Sequence, residues 1–119
     1  MRGNLFADLP VAAEAAERLE TLLDQPGLRI ERIVSSGQPS PPGFGYQQAE
    51  AEWVLLVSGA AQLRFEDEAA ARRLRTGDWL YIEARRRHRV EWTDAAAPTV
   101  WLAVHCPPGI GDRAVAISA

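Results

Sequence analysis

The sequence has 119 residues, a formal net charge of −3, and 47% hydrophobic against 24% charged residues. That is enough chain for one domain with a real core and too little for two. The acidic balance argues against nucleic acid as a partner. No apolar run approaches the ~20 residues of a membrane span, and no charged-then-apolar leader opens the chain, so a cytoplasmic protein without a membrane partner is expected.

All 13 basic residues are arginine, and Cys106 is the lone cysteine, which excludes an internal disulfide. Asn4-Leu5-Phe6 is expected as an extended lead-in. From Pro10 to Asp24 the composition turns helical. Ala12, Ala15, Ala16, Leu19, Leu22 and Leu23 form one stripe, with Asp8 as N-cap and Gln25-Pro26-Gly27 as the stop. The reading is one N-terminal α-helix covering a flank of a sheet.

Leu28 to Val34 alternates as a half-buried strand, and Ser35 to Gly45, with three prolines and three glycines, must be a loop. Short strands then follow at hairpin spacing, over roughly 46–58, 60–66, 70–75, 79–83, 87–93 and 98–105. Gly59, Asp67-Glu68, Thr76-Gly77-Asp78 and Asp94-Ala95-Ala96 supply the turns. One helix and many short strands predict an all-β sandwich or barrel. The expected single domain has an arm and helix over about 1–27, a barrel over 28–105 and a tail over 106–119, the tail an irregular wrap or exchange arm.

Side chains alternate along strands, so parity assigns faces. With Glu52 inward, Gln48, Glu50, Val54 and Leu56 follow it, while Trp53, Leu55 and Val57 face the other way and are equally apolar. A strand apolar on both faces is buried on both. Its second face needs the helix or another subunit, so a homodimer is expected. On the later strand, Arg86, His88, Val90 and Trp92 share a face, which places Trp92 as a candidate pocket wall. Arg86 either pairs with Glu50 or Glu83 or grips an anionic ligand. His105 either enters the barrel as an additional imidazole or caps its strand. Nothing is placed to activate Cys106 as a nucleophile.

The segment from about 46 to 105 resembles the cupin family. Cupins carry a first motif G(X)5HXH(X)3-4E(X)6G and a second G(X)5PXG(X)2H(X)3N. Glu52, six residues and Gly59 match the end of the first, and Gly77 and His88 match the skeleton of the second. Tyr46 and Gln48 stand at the two histidine positions of the first motif. Glu83, Arg85 and Trp92 stand at the proline, glycine and asparagine of the second.

The resemblance implies a single cupin-type antiparallel β-barrel, a jelly roll, with a degenerate metal motif. It carries over Glu52 and His88 as metal ligands with Gln48 as a neutral oxygen donor, for a divalent transition metal such as Fe, Mn, Ni or Zn. Tyr46, donating a proton or orienting substrate, and Arg86, holding a carboxylate, are the candidate catalytic residues. The implied function is a metal-dependent enzyme, oxygenase-like or an isomerase or lyase, on a small polar or anionic molecule. The alternative is a non-catalytic small-ligand-binding module without metal, and a purely structural dimerisation domain is the third reading.

Overall fold

The computed structural model describes residues 1–40, 43 and 48–108. Eight strands make up its regular structure: β1 Arg18–Gln25, β2 Leu28–Ser35, β3 Ala51–Ser58, β4 Ala60–Phe65, β5 Arg72–Arg75, β6 Trp79–Ile82, β7 His88–Thr93 and β8 Thr99–Cys106. They form two antiparallel sheets, one in the order β1-β2-β8-β3-β6 and one in the order β5-β4-β7. The expected all-β, jelly-roll architecture is what the chain adopts. Tyr46 and the tail from 109 onward lie outside the described residues.

The N-terminal helix is a correction. No described residue is helical; 10–17 are irregular, and 18–25 form strand β1. The Ala, Glu and Leu content favours helix only weakly, and tertiary pairing overrides such a preference. Gln25 pairs with Leu28 across Pro26-Gly27, and Gly27 has φ 77. Proline followed by glycine at positive φ is what a type II turn requires. The turn that was read as a helix stop therefore starts a hairpin. Further along, Glu20 is the direct partner of Arg32, and its carboxylate accepts from Arg32 Nη2 at 2.8 and 2.7 Å. A helix over 18–25 would remove that pair and leave the β2 edge without its ladder. The first residues are also more folded than an extended lead-in. Asn4 closes a turn onto Phe6 and Ala7, and the Leu5 and Ala7 carbonyls accept from Arg32 Nη1.

The core lies between the sheets. Val54, Leu56, Ile82 and Trp101 from the larger sheet meet Ala61, Leu63, Phe65 and Leu74 from the smaller one. The described part of the proline-rich loop lies along β7: Ser40 exchanges hydrogen bonds with Val90, and Thr93 Oγ1 donates to the Gln38 carbonyl. No helix among the described residues is long and apolar enough to cross a membrane.

Two backbone positions tie motif to fold. Gly59 joins β3 to β4 with φ 105, and a Cβ there would sit 2.5 Å from Thr99 Oγ1 and 2.8 Å from Thr99 Cα. Both the conformation and the space demand glycine. Gly59→Ala is expected to destabilise by roughly 2–4 kcal/mol through strain and overpacking. Denaturant unfolding checks this, and a loss below measurement error would refute it. Arg85 occupies the glycine position of the second motif and adopts φ 63, with its side chain exposed. A residue with a Cβ in this region costs about 1–2 kcal/mol relative to glycine, offset in part by the greater unfolded-state freedom of glycine. Arg85→Gly should therefore stabilise by about 0.5–1 kcal/mol. A lowered Tm in that variant would show that the arginine contributes something the geometry does not reveal.

Candidate functional site

The site is built by register. Arg29 of β2 pairs with His105 of β8, and His105 pairs with Glu52 of β3, which pairs with Ile82 of β6. One row across the larger sheet thus presents a guanidinium, an imidazole and a carboxylate on its inner face. The parallel rows beneath are Glu31, Ala103 and Val54, then Ile33, Trp101 and Leu56. Polar groups gather at one end of the barrel and apolar ones fill the middle. Between the sheets is a cavity of about 270 Å³, with His88 and Val90 of β7 and Leu63 of β4 on the facing wall.

Glu52 and His88 are both buried, as parity from the sequence requires for a shared interior. Gln48, just before β3, donates from Nε2 to Glu52 Oε1 at 2.9 Å, and its own carbonyl accepts from the Arg85 N–H at 2.7 Å. His88 Nδ1 lies 3.0 Å from the Arg86 carbonyl, an acceptor only, so Nδ1 carries the proton of that bond. His88 Nε2 is 4.0 Å from Glu52 Oε1, within ion-pair range but beyond a hydrogen bond. Glu52, Gln48 and His88 are brought together.

Arg86 is placed elsewhere. Its guanidinium pairs with Asp67 at 3.0 Å, Glu68 at 3.1 Å and Glu83 at 3.3 Å, and it lies 3.7 Å over the Phe65 ring. It is not among the residues lining the cavity. The hydrogen bond from Arg72 holds the Glu68 carboxyl below the usual carboxylate range, against its own desolvation, and Arg86 adds to the lowering. Trp92 also leaves the cavity. Gln62 pairs with Trp92 but Leu63 pairs with Val90, so Glu91 is an extra residue on β7. That bulge reverses the parity, and Trp92 is 44% exposed. The tryptophan on the cavity wall is Trp101.

Four lining residues escaped the sequence reading: Glu17, Leu19, Arg29 and Glu31. The first two fall in the stretch read as helix. The other two alternate with Ile33, and their charge hid the fact that this is the inner face of β2. Of the two placements left open for His105, the interior is the one adopted. The residue is 3% exposed, lines the cavity, and has Nε2 2.7 Å from Glu31 Oε1. Its Nδ1 is buried with no hydrogen-bond partner among the described residues. The parity of His105 with Trp101 was the signal available in the sequence.

The donor set does not fit the transition metal that the family resemblance implies. Among the described residues no three His, Cys, Asp or Glu side chains converge so as to hold an ion. Glu52 Oε1 is taken by the Gln48 amide, and the second imidazole of the cavity is committed to Glu31. A first-row metal site with nitrogen and oxygen ligands calls for a converging set, which a single imidazole–carboxylate pair does not supply.

The cupin domain profile matches residues 33–105 of this chain. No match was found among curated proteins. Among solved structures, one is a protein from Ralstonia eutropha JMP134 described as a candidate mannose-6-phosphate isomerase. It is 53% identical, with 90% of this chain and 98% of that one covered and a TM-score of 0.86. KdgF from Halomonas sp. shares the fold at 19% identity, with 79% and 82% covered and a TM-score of 0.66. An RmlC-like cupin with a double-stranded β-helix fold from Methanocaldococcus jannaschii does so at 16% identity, with 80% and 84% covered and a TM-score of 0.63. With the profile spanning more than half of the chain and these sheets beneath it, the chain belongs to the cupin family.

Proposed function

We propose that this cupin binds a small polar molecule inside the barrel, with Glu52, Gln48 and His88 as direct polar contacts and no resident metal. The observation that carries the reading is the buried Glu52 and His88, with Gln48 bonded to Glu52, on a cavity of about 270 Å³ whose apolar wall includes Val54, Leu63, Ile82, Val90 and Trp101. Ligand pockets have this composition: an apolar body and a few placed polar groups that fix orientation. The poor fit of the donor set to a transition metal, described above, supports the metal-free form. A second reading, catalysis of an aldose–ketose isomerisation, is favoured by the 53% identity to the Ralstonia eutropha protein. In that reading the same carboxylate and imidazole would handle the proton.

The test is calorimetric titration with mannose, mannosamine and mannose 6-phosphate, before and after exhaustive chelation. Wild type is set beside Glu52→Gln and His88→Gln, and mannose 6-phosphate turnover is assayed in parallel. Binding that survives chelation and weakens at least tenfold in each variant is the expected result. Binding lost on chelation and restored by Fe, Mn, Ni or Zn would overturn the metal-free reading and reinstate the family's metal chemistry. Turnover that disappears in both variants would establish the isomerase.

We also propose a homodimer joined through β1. Among the described residues this strand is the edge of the larger sheet, and one side of its backbone has no ladder partner there. It exposes Leu19 at 63%, Leu22 at 47% and Leu23 at 40%, with Leu22 bulged out of the pairing to β2. A second copy related by a two-fold axis would cover both the edge and the leucines. Light scattering on the purified protein should give a dimer, and a Leu22→Glu, Leu23→Glu double variant a folded monomer. A monomeric wild type at high micromolar concentration would reject the interface.

A further inference from the structure

Beyond the three residues already assigned, the cavity holds a second polar pair and an unbalanced set of charges. Among the described residues three carboxylates line it, from Glu17, Glu31 and Glu52, against one guanidinium, that of Arg29. Arg29 is already engaged, by Glu50 at 3.0 Å and by Glu31 at 3.9 Å. The two imidazoles add no negative charge, and the carboxylates outnumber the guanidinium. Glu17 is spent on Ser35, whose Oγ donates to it at 2.8 Å, while Ser35 accepts from the indole of Trp101.

Glu31 is differently placed. Its carboxylate accepts from His105 Nε2 at 2.7 Å, and its side chain is 18% exposed to the cavity side of the sheet, against 4% for His105. His105 is thus the buried member and Glu31 the one within reach of a bound molecule. Burying an imidazole with one nitrogen unpartnered is costly and needs a reason. The Nε2 contact holds the Glu31 carboxylate and the His105 ring in a fixed mutual orientation.

We infer that Glu31, positioned by His105, is a second ligand anchor, and that the cavity selects a neutral or cationic hydroxylated molecule of monosaccharide size over an anionic one. The inference rests on the proposed ligand-binding role of the cavity. A carboxylate only accepts hydrogen bonds, so a molecule held by Glu31 and Glu52 must bring donors: hydroxyls or an ammonium. A carboxylate group brings no donor at neutral pH and a phosphate monoester at most one, and either meets like charge in a partly desolvated site. The preference therefore runs against the phosphorylated sugar named for the 53% identical Ralstonia eutropha protein.

The experiment is competitive titration at pH 8 with mannose, mannosamine and mannose 6-phosphate, on wild type, Glu31→Gln and His105→Gln. In wild type, mannose and mannosamine should bind at least tenfold more tightly than mannose 6-phosphate. Glu31→Gln should weaken mannosamine at least tenfold and mannose 6-phosphate hardly at all, collapsing the selectivity. His105→Gln should move selectivity in the same direction by a smaller factor. A merely structural role would weaken all three probes alike and leave the ratios fixed, which would overturn the assignment. Tight mannose 6-phosphate binding in wild type would overturn the charge selection and leave the cavity reading standing. Absence of binding by all three probes, in protein shown folded by circular dichroism, would remove the cavity reading and this inference with it.

Discussion

The register of β8 between β2 and β3 is the constraint on which both core and site depend. β8 is paired on both sides, and its Trp101, Ala103 and His105 all point inward. Strand pairing fixes which residues share a row, and a one-residue slip would send every inner side chain to the other face. Because His105 pairs with Arg29 and with Glu52, three ionisable groups fall in a single row at one end. Because Trp101 pairs with Ile33 and Leu56, the next rows close over apolar mass. The boundary between polar site and hydrophobic core is therefore a property of strand register.

Burying that many polar groups is tolerable only because each is oriented before any ligand arrives. Gln48 donates to Glu52, the Arg86 carbonyl accepts from His88 Nδ1, and Glu31 accepts from His105 Nε2. Unpaired buried polar groups cost about 1–3 kcal/mol each, so these bonds maintain the fold as much as they shape the site. They also leave the side chains little freedom to rearrange. Such preorganisation reduces the ordering a bound molecule would impose.

The sequence made the strands, the turns and the Glu52–His88 convergence legible because those depend on local chemistry: alternating apolar residues, glycine at forced turns, and parity within a strand. It misled where a long-range pairing outweighed local preference. Residues 18–25 have a helical composition and no internal sign that Gln25 and Leu28 will close a hairpin. Trp92 was misplaced because a bulge at Glu91 resets parity, and nothing in the chain marks Glu91 as the extra residue. Arg29 and Glu31 were overlooked for a third reason. Alternation is ordinarily read as polar outward, yet β2 also buries Arg32 and Val34 on its opposite face, so here both faces are covered.

The distribution of arginines completes the picture of what the barrel discriminates. Arg86 lies outside the cavity over Phe65, held by three carboxylates, and Arg72 lies 4.9 Å over the same ring. Of the described arginines, Arg29 alone lines the cavity, and its charge is answered by Glu50. Arg72 and Arg86 are thus held outside the cavity, while Glu17, Glu31 and Glu52 line it. Of the 13 arginines in the chain, Arg29 is the one among the described residues that reaches the cavity. At a few ångströms in a partly desolvated site, charge outweighs shape in deciding which small molecule stays. The proposed selectivity rests on this balance of charge facing the cavity, and not on the metal motif that the chain retains only in part.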